Sequence, residues 1–451
     1  MNIALIILGA GKGTRMKSDL PKVLHPIAAA PMLIHAMRAG HSLTPDQTVI
    51  VAGHGAEAVT EAAQSYDETA KVVVQTEQLG TAHAVAQAKD VLADHAGDAI
   101  VLYGDTPFIS PETLERMIEA RKNADVVVLG FSAADAGRYG RLVMKENSLE
   151  RIVEYKDASE SERAIDFCNS GVVAAKTSTL FDLIDAVGND NASSEYYLTD
   201  IVQIAREKGL SATAVACDES ETLGVNARAE LAQAEDLFQI RMRRDAMENG
   251  VTFLAPDSVY FSFDTIVGRD TVIEQNVVFA PGVTVESGAR IRAFSHLEGC
   301  HVSRGAIVGP YARLRPGTEL AENVRIGNFV ETKNAIIDNG AKVNHLSYIG
   351  DAHLGAATNV GAGTVTCNYD GVMKHHTEIG ERVFIGSDTM LVAPVRIGND
   401  AMTASGSVIT KDVPDGALAL GRAEQTNKPG LAVKLFEMLK LKKKKRNEES
   451  N

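Results

Sequence analysis

A chain of 451 residues with 45% hydrophobic content is long enough for two or three domains, each with its own core. Its net charge of −14 argues against general nucleic-acid binding, because phosphate backbones attract basic surfaces. Cys168, Cys217, Cys300 and Cys367 lie far apart in no metal-type spacing, which predicts reduced thiols and a cytoplasmic setting.

The apolar start, residues 1–8, lacks the basic leader of a signal sequence and breaks into a Gly-rich loop at Gly9, so it predicts a buried strand. No segment reads as membrane-spanning. Apolar runs recur at 3–8, 49–52, 72–75, 99–103 and 126–131, with helical stretches between several of them, at 83–92 and after Ser110-Pro111-Glu112. That triplet places a capping Ser before a Pro in the first turn. Alternating strands and helices over residues 1–226 predict an α/β, Rossmann-like, doubly wound and mostly parallel sheet, whose ligands bind at the carboxyl ends of the strands.

The first such loop, 8–16, contains Leu8-Gly9-Ala10-Gly11-Lys12-Gly13-Thr14-Arg15-Met16 and is followed by Pro21-Lys22. Its glycines match neither the dinucleotide fingerprint nor the Walker A ending. They allow close backbone approach to a nucleotide, whose phosphates Arg15 and Lys22 can neutralise. After the third run, the stretch from Gln75 to Ala82 follows a strand and opens a helix, a suitable place for base and sugar contacts. The fourth run ends in Tyr103-Gly104-Asp105, where a carboxylate can hold Mg²⁺ bridging phosphates. The string from Gly11 to Lys22 resembles the signature of sugar-phosphate nucleotidylyltransferases. Tyr139-Gly140-Arg141, Glu154-Tyr155-Lys156, Asn169-Ser170-Gly171 and Gly224-Val225-Asn226 follow in that family's order.

Residues 227–250, rich in Ala, Leu, Glu, Gln and Arg and ended by Asn249-Gly250, predict a connecting helix with a solvated charged face. From Val267 a ladder of hexads begins. Val267, Ile273, Phe279, Val285, Ile291 and Leu297 stand six apart, and after a slip the ladder runs on through Val308, Leu314, Ile326, Val343, Val360, Ile385 and Ile397 to Ile409. A period of six fits neither an amphipathic helix nor an alternating strand. It is the repeat of a parallel β-helix, here resembling the left-handed triangular form, with roughly eight coils over 251–425.

Three departures from the ladder invite a functional reading. Residues 312–317 project basic groups. Residues 331–334 and 344–348 bring together charged and polar side chains, with His345 as the natural general base. The longest break, 367–376, is a loop that leaves a coil and returns to register. His375 and His376 within it match no motif and read as solvated. The tail, 426–451, holds an apolar stretch and then the run from Lys442 to Arg446. It predicts a short helix and a solvated, disordered end in preference to membrane attachment.

Over nearly its whole length the sequence resembles the bacterial family of bifunctional N-acetylglucosamine-1-phosphate uridylyltransferase/glucosamine-1-phosphate N-acetyltransferases. The resemblance implies that Leu8, Gly9, Ala10, Gly11, Lys22, Gln75, Gly80, Thr81, Tyr103, Gly104 and Asp105 bind UTP, and that Gly140, Glu154, Asn169 and Asn226 complete the UDP-sugar site. Asp105 and Asn226 would hold Mg²⁺, and Arg15 and Lys22 would act catalytically on the phosphates. His345 would be the base of acetyl transfer, Arg315, Lys333, Tyr348 and Asn359 the glucosamine 1-phosphate site, and Ala362, Asn368, Tyr369, Ser387, Ser405 and Arg422 the acetyl-coenzyme A site. Gly9 stands where the family usually has Ala, Thr106 is a mild variation, and Ser405 replaces a usual Ala. Acceptor sites of such prisms lie between chains, which implies a homotrimer. The expected function is acetylation, then uridylylation, towards UDP-N-acetylglucosamine for envelope polysaccharides. A single-activity nucleotidylyltransferase with a structural β-helix, and a non-catalytic scaffold, are the other readings.

Overall fold

The computed structural model describes residues 2–191 and 193–449. The chain divides into two compact units. One runs to Ala246 and takes in Tyr260–Asp264; the other comprises Met247–Val259 and the described residues from Thr265 onward.

The first unit is built on β1 (Ile3–Gly9), β2 (Gln47–Ala52), β3 (Lys71–Val74), β4 (Asp98–Tyr103), β5 (Val126–Ser132), β6 (Arg141–Lys145), β7 (Ser148–Val153), β8 (Phe167–Lys176) and β9 (Ala212–Cys217). Every residue of β1 is buried, because the sheet is covered on both faces. Ala4, Ile6 and Leu8 enter one core, and Ile3, Leu5 and Ile7 the other. The sheet order is β9-β5-β8-β4-β1-β2-β3, with β6 and β7 forming a hairpin attached to β8. Only β8 runs antiparallel to its neighbours in the main order. The chain leaves β1 towards β2 and β3 and returns to its other side at β4, so the crevice for a ligand opens beyond the carboxyl ends of β1 and β4.

Ser110 caps the helix Pro111–Arg121 as its sequence predicts, accepting a hydrogen bond from the Thr113 N–H at 3.2 Å. The helix expected over 83–92 is instead Thr81–Ala86, followed by turns in which Ala88 N–H and Lys89 N–H reach back only three residues. The helix Arg228–Glu248 is less solvated than its composition suggests. Ala234 is fully buried, with Leu231, Leu237 and Phe238 packed beside Ile27, Met32 and Phe108. Gln239 is buried too. Its amide donates to the Phe261 carbonyl at 2.7 Å and accepts from the Phe261 N–H at 2.8 Å, which explains why Tyr260–Asp264 belongs to the first unit.

The second unit is a left-handed parallel β-helix with three faces. A ten-stranded sheet from Thr252–Phe253 to Leu418–Ala419 forms one face. The other two share fourteen strands, two of which, Glu331–Ile337 and Tyr348–Leu354, are long enough to turn a corner and serve both. Ile273, Phe279, Val308, Leu314, Val343 and Ile385 point inward with at most 1% exposure, as the ladder predicts; Val267, at the first coil, is half-buried. The apparent gaps are filled by Thr332, Thr366 and Thr403, all buried. Thr366 Oγ1 accepts from the Gly350 N–H at 2.8 Å and donates to the Gly350 carbonyl at 3.0 Å, so a hydroxyl replaces a methyl without an orphaned group. Corners turn through left-handed residues such as Gly305 (φ 70°) and Asn323 (φ 59°) on successive rungs. The tail corrects the expectation of disorder: a single helix, Leu431–Glu449, runs through the lysines, which are good helix formers.

Candidate active sites

In the first unit a cleft of about 330 Å³ opens at the predicted crevice, lined by Leu8, Gly9, Ala10, Gly11, Lys22, Gln75, Gly80, Thr81, Tyr103 and Asp105. The loop after β1 can lie flat here because Gly53 leaves room: a Cβ there would stand 2.5 Å from the Ala10 carbonyl oxygen. Gly13 adopts φ 59°, and a Cβ on it would lie 2.7 Å from that of Lys22, so this glycine lets the lysine cross the loop. Lys22 Nζ forms an ion pair with Asp105 Oδ2 and donates to Asn226 Oδ1 at 3.2 Å. Residues 204 positions apart therefore meet at one point. Glu230 positions Asn226 by accepting its backbone N–H at 2.5 Å, while Val225 N–H donates to the Asp105 carbonyl at 2.9 Å. Two hard oxygens that already share one cation fit a divalent ion whose remaining ligands are phosphate and water.

The predicted sugar contacts also converge. Asn169 N–H donates to the Gly140 carbonyl at 2.8 Å, and a Cβ on Gly140 would lie 3.5 Å from Glu154 Oε1. Burial raises the Glu154 carboxyl above its ordinary range; the hydrogen bond from Thr199 Oγ1 (3.3 Å) opposes this and the charges of Asp200 and Asp157 add to it. Arg15 stands apart. It lies exposed on the turn Thr14–Met16 and does not line the cleft. Sequence reasoning missed Gln78, whose side chain donates to the Ala10 carbonyl at 2.6 Å, and Glu195, at the cleft wall. Gln78 lies in a stretch already quoted; Glu195 carried no motif at all.

In the second unit the predicted residues fall on one corner of the prism. Val343, Val360, Ile385 and Thr403 are in register. Two residues further along each rung stand His345, Ala362, Ser387 and Ser405. Asp388 N–H donates to Ala362 O and Gly406 N–H to Ser387 O, both at 2.7 Å, which fixes the stacking. The Arg422 side chain passes 4.0 Å from where a Cβ on Gly406 would be. At about 4.8 Å per rung, the column from His345 to Ser405 extends on the order of 15 Å. His345 is exposed, and its Nδ1 is 2.8 Å from Asn328 Oδ1, its register partner on the rung before. An oxygen acceptor at Nδ1 places the proton there and leaves the Nε2 lone pair free to act as a base. Asn328 was not anticipated; being on the repeat, it carried no distinguishing signal.

Beside this corner, Arg315 pairs with Glu331 at 2.9 Å, and Tyr348 occupies the rung after Glu331. Asn359 pairs in register with Lys342. The inserted loop is well tied. Asn368 donates to Asp351, Tyr369 pairs with Lys374 across the loop, and Asp370 accepts from Val372 N–H (2.8 Å), Met373 N–H (2.7 Å) and His375 (2.7 Å). His375 is thus an internal fastener of the loop, contrary to the solvated reading, whereas His376 is exposed beside Glu378. Bonding from His375 and these amides holds the Asp370 carboxyl well below its usual range. The loop delivers a cation that sequence reasoning missed. Lys374 lowers the Lys333 ammonium from its ordinary value, as do desolvation and, more weakly, the charge of Arg315, while the charge of Asp351 opposes them. Arg315, Lys333 and Lys374 supply the cations that a phosphate takes, beside the carboxylates of Glu331 and Asp351.

Comparison with known proteins adds two family matches and three relatives. Residues 5–170 match the MobA-like NTP transferase domain, and residues 376–411 match the bacterial transferase hexapeptide, six repeats. The chain is 69% identical over 450 residues to the "Bifunctional protein GlmU" of Ruegeria pomeroyi, covering 100% of both chains. It is 68% identical to the protein of the same name from Ruegeria sp. (strain TM1040), covering 98% of this chain and 99% of that one. The namesake from Roseobacter denitrificans is 67% identical, with 99% of each chain covered.

Proposed function

The chain belongs to the family of the bifunctional GlmU proteins, and from that premise we propose how its residues divide two reactions between two sites. It is an enzyme that acetylates glucosamine 1-phosphate with acetyl-coenzyme A and transfers uridylyl from UTP to N-acetylglucosamine 1-phosphate. The observation that carries our assignment of the first reaction to the β-helix is the corner column, where a base and the small residues Ala362, Ser387 and Ser405 stand on consecutive rungs. A spine without catalytic duty has no need of that alignment.

In acetyl transfer, His345 Nε2 takes the proton of the sugar amine as nitrogen bonds to the thioester carbonyl carbon. The carbon–sulfur bond then breaks and coenzyme A leaves as its thiol. Asn328 orients the imidazole. Arg315 and Lys333, joined by Lys374, hold the sugar phosphate, with Tyr348 and Asn359 alongside. Ala362, Ser387, Ser405 and Arg422 leave a smooth track for the pantetheine arm, and Asn368 and Tyr369 close it on one side. The exposure of His345 on a single chain supports a homotrimer, in which a second copy walls the site.

In uridylyl transfer, an oxygen of the sugar phosphate attacks the α-phosphorus of UTP in line, and pyrophosphate leaves. No protein nucleophile is needed. Leu8 to Gly11, Gln75, Gly80 and Thr81 bind the nucleotide, Lys22 neutralises the phosphates from within the cleft, and Gly140, Glu154 and Asn169 seat the sugar. Asp105 and Asn226 would hold Mg²⁺, whose chemistry is charge neutralisation on the triphosphate. We place the reactions in the cytoplasm, the compartment that supplies UTP and acetyl-coenzyme A.

The test is product mass spectrometry on purified protein with glucosamine 1-phosphate, acetyl-coenzyme A, UTP and Mg²⁺, omitting one component at a time. N-acetylglucosamine 1-phosphate should accumulate without UTP, and UDP-N-acetylglucosamine should form from the full mixture. UDP-sugar only from pre-acetylated substrate would reduce the β-helix to a spine.

A further inference from the structure

The helix Leu431–Glu449 is exposed from Leu431 through Glu448, yet most of its first eleven residues are apolar. At 100° per residue, Leu431, Ala432, Leu435, Phe436, Met438 and Leu439 fall within one side of the first two turns and a half, while Lys434, Glu437 and Lys440 share the other with Val433 and Leu441. Phe436 is 65% exposed and Leu439 59%. The segment that follows, Lys442-Lys443-Lys444-Lys445-Arg446, is charged at every azimuth. Two different surfaces thus follow one another along one rod, an apolar side and a cationic sleeve.

The sleeve decides which occupant fits. Five consecutive cations surround the helix, so a protein groove can read only some of them. A bilayer surface offers mobile anionic headgroups that gather around a cationic rod, and an apolar boundary at the depth of the adjoining side. The charge contrast points the same way. The chain carries −14 overall while this one segment is strongly basic, so an anionic surface would attract the tail and repel the rest. No described helix is long and apolar enough to cross a membrane, and the apolar part, at 1.5 Å per residue, spans roughly 16 Å, suited to lying in the interface plane. We propose that the C-terminal helix docks the enzyme on an anionic lipid surface, its apolar side at the headgroup boundary and its lysines among the phosphates.

The test is cosedimentation of the full-length protein with phosphatidylcholine vesicles, with and without about 30 mol% phosphatidylglycerol. Binding is expected only with the anionic lipid, and should weaken as salt rises. Replacing Lys442–Lys445 by Gln should lower partitioning more than roughly tenfold, as should Leu435→Ser with Phe436→Ser, because each removes one of the two attractions. Uridylyl transfer, which uses none of these residues, should stay unchanged in both variants and reports that the chain is folded. Absence of binding by the intact protein, or equal binding to neutral vesicles, would overturn the proposal. So would a fall in assembly mass by light scattering in the apolar variant with lipid binding intact; that result would show a second copy of the chain covering the helix.

Discussion

The two candidate sites are built on opposite principles. In the first unit, a doubly wound sheet sends its loops to one crevice, and Lys22, Asp105 and Asn226 meet there with Lys22 and Asp105 only 13% and 17% exposed. In the second unit, a repeat sets residues in a column on an outer corner, and His345 lies open to solvent with Asn328 as its side-chain partner among the described residues. A sheet can enclose a ligand within one chain because its loops come from different directions. A prism presents convex corners, so a site there stays open to solvent wherever no inserted loop or other molecule covers it. The comparison teaches that one site is enclosed by loops of its own chain, while the other, on the proposed trimer, takes a wall from a neighbouring copy.

The sharpest way to break this comparison is a crossed pair of substitutions. Asp105→Ala should lower uridylyl transfer roughly a hundred- to thousandfold and leave acetylation unchanged, since Lys22 loses its carboxylate partner and the proposed Mg²⁺ a ligand. His345→Ala should do the reverse, lowering acetyl transfer by roughly 10²–10⁴ while uridylyl transfer stays constant. Separate assays of each half-reaction check both, and loss of both activities in either variant would show that the sites are not independent. The next effect is one of concentration. On the proposed trimer, acetyl transfer per chain should fall on dilution below the assembly constant, with uridylyl transfer per chain flat; two flat profiles would place a complete acetylation site on one chain.

Glu154→Gln sharpens the contrast in burial. The folded carboxyl is raised by desolvation first, so its ionisation opposes folding above its folded pKa, and this cost vanishes as pH falls. The variant should have a higher Tm at neutral pH by calorimetry, and uridylyl transfer lowered roughly tenfold or more from a lost sugar contact. The smallest effect belongs to the prism's surface. His353 lies between Asp338 (2.9 Å) and Glu378 (2.8 Å). Desolvation, its largest influence, lowers its pKa, but the bonds to Asp338 and Glu378 outweigh this and raise it above 6.5. Its contribution to stability is therefore complete below pH 6.5 and lost as pH rises through the folded value. His353→Gln should flatten that slope in a Tm-against-pH series, and an unchanged slope would assign it to other groups.

Legibility differs between the two units for the same physical reason. Hexads announce the β-helix because each inward position faces the same narrow core and must be small and aliphatic, rung after rung. What the ladder hid were Thr332, Thr366 and Thr403, whose hydroxyls find partners within the coil. Asn328 and Lys374 were hidden as well, since their meaning comes from neighbours 17 residues away or across an inserted loop. In the first unit, the glycine loop and the runs of Val and Ile marked strands and crevice. The start of the helix after Gly80 and the return of Tyr260–Asp264 depended on Tyr196 and Gln239, which no local pattern connects to them.

By itself the sequence determined the two architectures and the order of their motifs, because periodicity and turn chemistry are local properties of the chain. Only the tertiary structure decided which of those residues touch: that Lys22 bridges Asp105 and Asn226, that Asn328 points His345, and that Arg15 stands outside the cleft. Distances across a fold are set by packing and register, and these act between segments that the linear order keeps apart.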